Sequence, residues 1–411
     1  MSDLEIIQLT PSGRGAVATL RVEGRRALEA VAAHFRARNG RPLSSAIPDR
    51  PIVGRFGDWS NLAPQDGEEV VLHCLSGEAV EIHCHGGLAA VDMIRQILLA
   101  AGGQEVAWQD WITRLEPDPI ARAARLLLPE ARTERTAAIL LDQYHGALRR
   151  VLEALAKAPR NENRDSPRVP RLACPTVFSA LLDKPAVAPT QATPSPGSLE
   201  PSAEDLIETL LARAPLGMHL VRPWRVVVAG PPNVGKSSLI NALVGYPRAL
   251  VHDAPGTTRD AVTAATAIDG WPIEFCDTAG LRRGGSALEQ AGIALARQRL
   301  SDAEGVILVF DHSQPWSAAE DVLLSEWPGA IVVHNKGDLA EAGANRPAGL
   351  TVSSLFGQGI PALLQAVVDR LVPSPPPPGA AVPFTAEQVE QIKALGNHES
   401  PKGEKLNPDY S

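Results

Sequence analysis

The second half of this 411-residue chain is predicted to fold as an α/β domain with a doubly wound, mostly parallel sheet. Two observations predict it. Short apolar runs of strand character recur along this half, and a glycine-rich or polar motif follows each run. The clearest example is the strand-like run 225–229, followed by a loop at 230–235 and a helical segment at 238–243. A strand, a loop and a helix in this order are the repeating unit of parallel sheets.

The loop itself carries the first chemical signal. Residues 230–237 read Gly-Pro-Pro-Asn-Val-Gly-Lys-Ser and match the pattern G-x-x-x-x-G-K-[ST], with Ser238 following. Gly230 and Gly235 let the backbone turn so that successive N–H groups point at phosphate oxygens. Lys236 would reach the β- and γ-phosphates, and Ser237 would hold Mg²⁺. The loop therefore predicts a P-loop domain that binds a nucleoside triphosphate.

Two motifs farther along the chain predict the rest of the phosphate and magnesium site. Asp277 follows the strand-like run 271–276, and its carboxylate suits a second contact to Mg²⁺. The backbone N–H of Gly280 can donate to a γ-phosphate. Between the loop and Asp277, Thr258 can join Mg²⁺ only while the γ-phosphate is present. Hydrolysis of the nucleotide is therefore the predicted reaction.

The base is predicted by a third pair of motifs. Asn335, Lys336 and Asp338 lie in an Asn-Lys-Gly-Asp stretch that follows another apolar run. Asp338 can accept two hydrogen bonds from the N1–H and N2–H₂ of guanine, which adenine cannot offer, so a buried site of this kind rejects the wrong base. Ser353 and Ser354 supply the last base contact through a backbone N–H. All the motifs in this order predict a GTPase.

Composition is consistent with an intracellular protein of several domains. The formal net charge is −8, which argues against a broad basic surface for nucleic acid. The four cysteines are scattered and give no disulfide framework, so we expect a reducing, cytoplasmic location. No apolar run is long enough to span a membrane.

Composition and periodicity also divide the chain. We expect an α+β domain at 1–115, a helical region at 116–221 with a proline-rich linker at 159–203, the nucleotide-binding domain at 222–373, and a proline-rich segment with a short helix at 374–411. Within these blocks, residues 88–100 predict an amphipathic helix and residues 133–157 predict helical structure.

Three further stretches carry a family resemblance. They read Thr-Pro-Ser-Gly-Arg-Gly at 10–15, Val-Glu-Ile-His-Cys-His-Gly-Gly at 80–87 and Arg-Thr-Glu-Arg-Thr-Ala at 132–137. With the spacing from Asp277 to Glu289, they resemble the MnmE (TrmE) family of tRNA-modification GTPases. The resemblance implies a P-loop GTPase domain inserted in a reduced helical domain, a folate-binding-like domain before it, and homodimers formed through the N-terminal domains.

The resemblance also implies a mechanism. Leu281 follows Gly280, where Ras-like proteins keep a glutamine that orients the attacking water. In the resembled family a K⁺ ion takes the place of an arginine finger and neutralises developing charge. By position, its ligands here would be the side chain of Asn233 and backbone carbonyls of the loop containing His252, Ala254 and Thr257. Glu289 would position the water, although a solvated charge at the start of a helix explains that residue equally well.

Folate, tRNA and a flavoprotein complete the implied picture. Arg14 and Glu81 are the candidate residues for a tetrahydrofolate derivative, and an MnmG-type flavoprotein would be the partner in modifying the wobble uridine of tRNA at C5. The family ends in a Cys-x-Gly-Lys motif, whereas no cysteine follows Cys276 here. Two alternatives therefore stay open: an RNA- or ribosome-associated GTPase switch without modification chemistry, and a non-catalytic sensor of folate or nucleotide.

Overall fold

The structure is a computed structural model that describes residues 3–13, 15–43, 50–60, 66–157, 202–246, 263–277, 303–343 and 346–396. The chain divides into two compact units, residues 1–122 and 123–411, each with its own sheet. The finer domain boundaries expected from composition remain predictions. No helix in the described ranges is long and apolar enough to cross a membrane.

The first unit is built on a seven-stranded sheet of order β3-β4-β5-β6-β2-β1-β7. Its strands are β1 (Glu5–Gln8), β2 (Val17–Glu23), β3 (Phe35–Ala37), β4 (Pro51–Phe56), β5 (Glu68–Ser76), β6 (Ala79–His85) and β7 (Gln104–Glu105). Its helices are α1 (Ala27–His34), α2 (Leu88–Ala100) and α3 (Trp108–Leu115). All neighbouring strands are antiparallel except β1 and β7, which run parallel. The predicted α+β character is confirmed, as is the helix at 88–100.

One face of this sheet is the core and the other is polar. Alternate residues of β2 and β6, among them Leu20 and Ile82, are buried and belong to one cluster with Ile94 and Leu98 of α2. The residues between them in sequence point to the opposite face, because successive side chains of a strand alternate. That face carries half-buried polar side chains, and the candidate residue Glu81 is one of them.

Helix α4 (Pro119–Leu127) and a 3₁₀ turn (Leu128–Glu130) come next along the chain. The second unit then has four helices that are not part of its strand–helix sheet repeat. They are α5 (Glu134–Tyr144), α6 (Ala147–Lys157), α7 (Ala203–Met218) and, near the C-terminus, α11 (Ala386–Gly396). The helical stretch predicted at 133–157 is two helices, because Gly146 adopts φ +87° and ends the first of them. The extended segment 380–382 packs between α5 and α7, where fully buried Gln143 bonds the Ala380 carbonyl and the Val382 N–H.

The sheet of the second unit has six strands in the order β13-β12-β11-β8-β10-β9. They are β8 (Trp224–Ala229), β9 (Thr263–Ile268), β10 (Trp271–Asp277), β11 (Gly305–Asp311), β12 (Ile331–Asn335) and β13 (Leu350–Thr351). The associated helices are α8 (Lys236–Val244), α9 (Ala318–Glu326) and α10 (Ile360–Leu371). Only the β9–β10 pair is antiparallel among these described strands. The predicted mostly parallel α/β fold is confirmed, and the carboxyl ends of β8, β10, β11 and β12 meet at one edge.

Candidate nucleotide-binding site

The loop between β8 and α8 lies at that edge and requires glycine at both ends. Gly230 has φ +149°, and a Cβ there would overlap the backbone carbonyl oxygen of Val309. Gly235 has φ +91°, and a Cβ there would meet the Asn335 amide nitrogen at 2.5 Å. Both positions lie in backbone regions that favour glycine. The loop therefore reaches the start of α8 with its backbone close to two other strands.

Lys236 is buried at the start of α8. Its ammonium group donates to the carbonyl oxygens of Gly230 at 3.1 Å and Pro231 at 2.7 Å, so the side chain folds over the loop. An ammonium at the N-terminal end of a helix, beside backbone N–H groups, forms a site for anionic phosphate. Asn233 and Ser238, two other candidate site residues near Lys236, are exposed, and Asn233 adopts φ +63°.

A hydroxyl and a carboxylate meet beside this loop. The Ser237 hydroxyl donates to Asp277 Oδ2 at 2.6 Å. The contact arises because β10 runs parallel to β8, with Asp277 opposite Val228, so β10 ends where the loop begins. Hard oxygen donors of this kind are the ligands that Mg²⁺ prefers. The residues present therefore fit a magnesium ion that also contacts a nucleotide phosphate.

The residues predicted to recognise the base are joined to the phosphate loop through Asn335. This side chain is 0% exposed; its Nδ2 donates to the Val234 carbonyl at 2.9 Å, and its Oδ1 accepts from the Ser354 N–H at 3.1 Å. The Ser353 hydroxyl donates to Asp338 Oδ1 at 2.6 Å and orients that carboxylate. Residues of the phosphate loop, of 335–338 and of 353–354 therefore form one bonded site, and its Asp338 carboxylate is the predicted acceptor for the base.

Asp311 is a member of this site that the sequence motifs do not include. Its Oδ2 accepts from the Lys336 ammonium at 2.6 Å, and its Oδ1 accepts from the Ser313 N–H at 2.9 Å and hydroxyl at 2.7 Å. Burial acts to raise the pKa of Asp311, but the bonds from Lys336 and Ser313 together outweigh it and hold the pKa below its ordinary value. A carboxylate at the end of an apolar strand, the same signal as for Asp277, would have identified it.

Arg346 organises the backbone around Asp311. Its guanidinium donates to the carbonyl oxygens of Asp311 at 3.0 Å and His312 at 2.8 Å, and also to that of Gln314. A further bond of 3.4 Å reaches the carbonyl oxygen of Ala342, in the segment after the predicted base-recognition motif. Arg346 therefore connects the end of β11 to that segment. No local pattern in the sequence predicts this connection.

In the first unit, the folate candidate Glu81 is paired with an arginine. Arg21 lies opposite Glu81 in the β2–β6 register, and its Nη1 donates to Glu81 Oε1 at 3.1 Å. The same guanidinium binds Glu23 Oε1 at 2.6 Å and lies 5.0 Å from the centre of the Trp111 ring. The sequence motifs single out Glu81 but not Arg21, whose importance depends on strand pairing.

A separate cavity of about 290 Å³ lies near the end of β1. Ile6, Gln8, Leu20, Arg95, Glu105, Val106 and Ala107 line it. Leu20 belongs to the core face of the sheet, whereas Glu81 lies on the polar face. The structure therefore does not bring the cavity and Glu81 together.

Several predicted site residues lie outside the described residues. They are Arg14, His252, Ala254, Thr257, Thr258, Gly280 and Glu289. Their roles remain predictions from sequence.

This chain is similar to known GTPases. A family model described as a 50S ribosome-binding GTPase matches residues 225–336. A tRNA modification GTPase MnmE of Thermus thermophilus is 34% identical over 93% of this chain and 85% of its own length. The proteins of the same name from Geobacillus kaustophilus and Bacillus subtilis are each 31% identical, over 88% and 87% of this chain and 80% of their own lengths. Among solved structures, Aquifex aeolicus Era Y63A bound to GDP·AlF4⁻ has a TM-score of 0.29 and 25% identity over 37% of this chain and 58% of Era.

Proposed function

Because this chain belongs to the MnmE family of tRNA modification GTPases, we propose that its GTP hydrolysis is stimulated by K⁺ and serves modification of the wobble uridine of tRNA at C5. The chain is a GTP-hydrolysing enzyme by its domain and its relatives, and GTPases of this kind generally use Mg²⁺. The bonded site, in which Asn335 links the phosphate loop to the predicted base-recognition loop, supports the nucleotide-binding part of the proposal.

In this proposal the chain's own residues position and neutralise the nucleotide. Lys236 turns its ammonium from the loop carbonyls to the β- and γ-phosphate oxygens. Ser237 and Asp277, whose side-chain oxygens lie 2.6 Å apart, would hold Mg²⁺, which would neutralise charge on the phosphates. Asp338, oriented by Ser353, accepts hydrogen bonds from the guanine edge. Phosphoryl transfer needs little more than such positioning and charge stabilisation.

The K⁺ part of the proposal rests on Asn233. Its side chain is exposed, makes no hydrogen bond to another described residue, and stands at φ +63° in the phosphate loop. A side-chain oxygen there is free to bind a monovalent cation, which would supply the positive charge that an arginine finger supplies elsewhere. In sequence, Leu281 occupies the position of the water-orienting glutamine of Ras-like proteins, so another group has to stabilise the transition state, and a bound cation would do so.

GTP hydrolysis in KCl against NaCl at equal ionic strength tests this part. We expect strong stimulation by K⁺ in the natural protein and loss of that stimulation in Asn233→Ala, with GDP binding retained. Asn241→Ala, an exposed asparagine on α8, is the matched control and should keep the stimulation. Equal, slow rates of the natural protein in both salts would refute the K⁺ proposal.

The tRNA part rests on the near full-length similarity to MnmE proteins. We expect a homodimer, as the family resemblance implies, and an MnmG-type flavoprotein partner, because GTP hydrolysis itself supplies no redox chemistry. The test is mass spectrometry of wobble uridines in cells that lack this protein and any paralogue, with complementation by the natural chain or by Lys236→Ala. Normal modification in the deleted cells would refute this role.

Binding of a tetrahydrofolate derivative is proposed for the polar face of the first sheet. The Arg21–Glu81 pair offers a donor and an acceptor side by side, which suits the edge of a pterin ring. Titration calorimetry with a tetrahydrofolate derivative should show binding that Glu81→Gln weakens at least about tenfold. Glu78→Gln, an exposed change in the adjacent turn, is the control. Equal affinity of the two variants would exclude Glu81 from the site.

A GTPase switch on the ribosome is the second candidate, favoured by the description of the matching family model. Its distinguishing result would be GTP-dependent co-sedimentation of the protein with large ribosomal subunits, together with unchanged wobble modification in the deleted cells. Tight GTP binding without measurable hydrolysis would instead indicate a sensor.

A further inference from the structure

The start of helix α5 contacts the turn of the β9–β10 hairpin, and the nucleotide site as described above does not use this contact. The Thr133 hydroxyl donates to the Gly270 carbonyl oxygen at 2.7 Å. Arg135 forms a two-point contact with Asp269, with Nη1 to Oδ2 at 3.0 Å and Nη2 to Oδ1 at 3.5 Å. Its guanidinium also lies 5.2 Å from the centre of the Trp271 ring. We call this set of contacts the hairpin clamp.

The start of α5 and the turn between β9 and β10 have local structures that allow them to approach closely. Thr133 is the N-cap of α5, accepting from the Thr136 N–H at 3.2 Å, so one hydroxyl caps the helix and binds the turn. In the turn, Asp269 has φ +48° and Gly270 has φ +76°. A Cβ on Gly270 would lie 2.9 Å from the Cβ of Arg135. The turn therefore needs glycine here to approach the helix.

The other end of the same hairpin carries the magnesium residues. β10 ends at Asp277, which is bonded to Ser237. β9 begins at Thr263, paired with Cys276, and Thr258 lies five positions earlier in sequence. A seven-residue strand spans about 23 Å. The hairpin is thus a two-stranded element with the clamp at one end and the phosphate chemistry at the other.

We propose that Thr133 and Arg135 are positioning residues for GTP hydrolysis. The pairing of β10 with β8 brings Asp277 beside Ser237, and the hairpin clamp adds a second restraint on the orientation of the β9–β10 hairpin and thereby on the position of Asp277. β9 is an edge strand, so the hairpin is bonded to the rest of the described sheet only through β10. A contact at the turn therefore restrains the orientation of the whole hairpin. By linkage, occupation of the magnesium site must in turn favour the clamped arrangement of helix α5.

The clamp is exposed enough for its functional effect to be separated from folding. The side chains of Arg135 and Asp269 are 40% and 63% exposed, and ion pairs of that exposure contribute little to stability. Arg135→Ala and Asp269→Asn remove the pair from either side, and asparagine tolerates the left-handed backbone of the turn. Arg149→Ala, which removes an exposed ion pair within α6, is the matched control.

The experiment compares these variants for two responses to buffered free Mg²⁺: the rate of GTP hydrolysis, and the release of a fluorescent GTP analogue that is not hydrolysed. We expect Arg135→Ala to raise the Mg²⁺ concentration for half-maximal effect about fivefold in both. Asp269→Asn should do the same, and the double variant should shift no further, because the two residues act through one contact. The melting temperature of each variant should match the control.

A purely structural clamp would lower the melting temperature and leave both Mg²⁺ midpoints at the control value, which would overturn the proposal. Additive shifts in the double variant would overturn it as well, because they would mean that the residues act separately. Should Arg135→Ala fail to fold, Asp269→Asn alone decides the question by the same two midpoints. The result does not depend on K⁺ stimulation or on tRNA modification, since only Mg²⁺ responses are compared.

Discussion

Replacing Asp311 by asparagine should weaken GDP binding, although no nucleotide motif includes this residue. Asparagine keeps the shape of the side chain, and its oxygen can still accept from Ser313. Its amide group would then face the Lys336 ammonium, so that a donor meets a donor in place of the present 2.6 Å ion pair. Lys336 holds φ +65° next to Asn335, and Asp311 is its only charged partner among the described residues.

The size of the effect follows from burial. Asp311 is 8% exposed, while the Lys336 side chain is 34% exposed and can regain water. A hydrogen bond between charged groups contributes about 1.5–3 kcal/mol, and partial exposure favours the lower end, about 1.5 kcal/mol of unfolding free energy. In the variant, the Lys336 side chain would no longer be held by Asp311, so it would have to become ordered when the nucleotide binds. Ordering it costs about 1 kcal/mol, a roughly fivefold loss of affinity.

The assay measures the affinity for a fluorescent GDP analogue and the free energy of unfolding by denaturant on the same preparations. Asp369→Asn is the control, because that carboxylate lies on the exposed face of α10 and accepts only from Gln365 among the described side chains. A fall in unfolding free energy with GDP affinity equal to that of the control would refute the positioning of Lys336 by Asp311. No change in either quantity would refute the energetic argument as a whole.

Three further predictions concern the base, the helical packing and pH. Asp338→Asn should shift preference from guanine toward xanthine nucleotides in competition binding, and unchanged preference for GDP would refute the role of the carboxylate as acceptor. Gln143→Ala removes the partners of the buried Val382 N–H and the part-buried Ala380 carbonyl, and should cost about 2–4 kcal/mol of unfolding free energy by denaturant. Gln365→Ala, on an exposed helix face, should cost under about 0.5 kcal/mol. Burial lowers the pKa of His334, so the unfolded chain takes up the proton first as pH falls below about 6.5, and stability should fall over the same range. His334→Gln should flatten that dependence, and an unchanged slope would exclude the histidine as its source.

The candidate residues of the nucleotide site could be picked out from the sequence because their signals are local. A glycine at each end of the phosphate loop reports the backbone conformation directly, and Gly230 and Gly235 do adopt positive φ. The strand before each motif could be recognised from its apolar run, and parallel strands bring their carboxyl ends together, which explains why Ser237 and Asp277 meet. The order of the motifs along the chain was enough to predict the fold.

Pairs that join distant segments were not predictable in the same way. Period-two alternation tells which residues of β2 and β6 share a face, but not that Arg21 lies opposite Glu81, because register depends on which strands are neighbours. The bond from Asp311 to Lys336 depends likewise on β11 lying beside β12. A sequence pattern does not show the order in which the strands lie side by side in the sheet.

The sequence by itself determined which residues are candidates for the chemistry of this protein: the phosphate loop, a hydroxyl and a carboxylate proposed for magnesium, and an acceptor proposed for guanine, because each depends on residue type and local backbone. The tertiary structure decided which side chains hold that chemistry in position. Arg135 reaches Asp269 across 134 positions of sequence. Such contacts depend on how the sheet and the helices pack, and packing is a property of the whole chain that no short segment specifies.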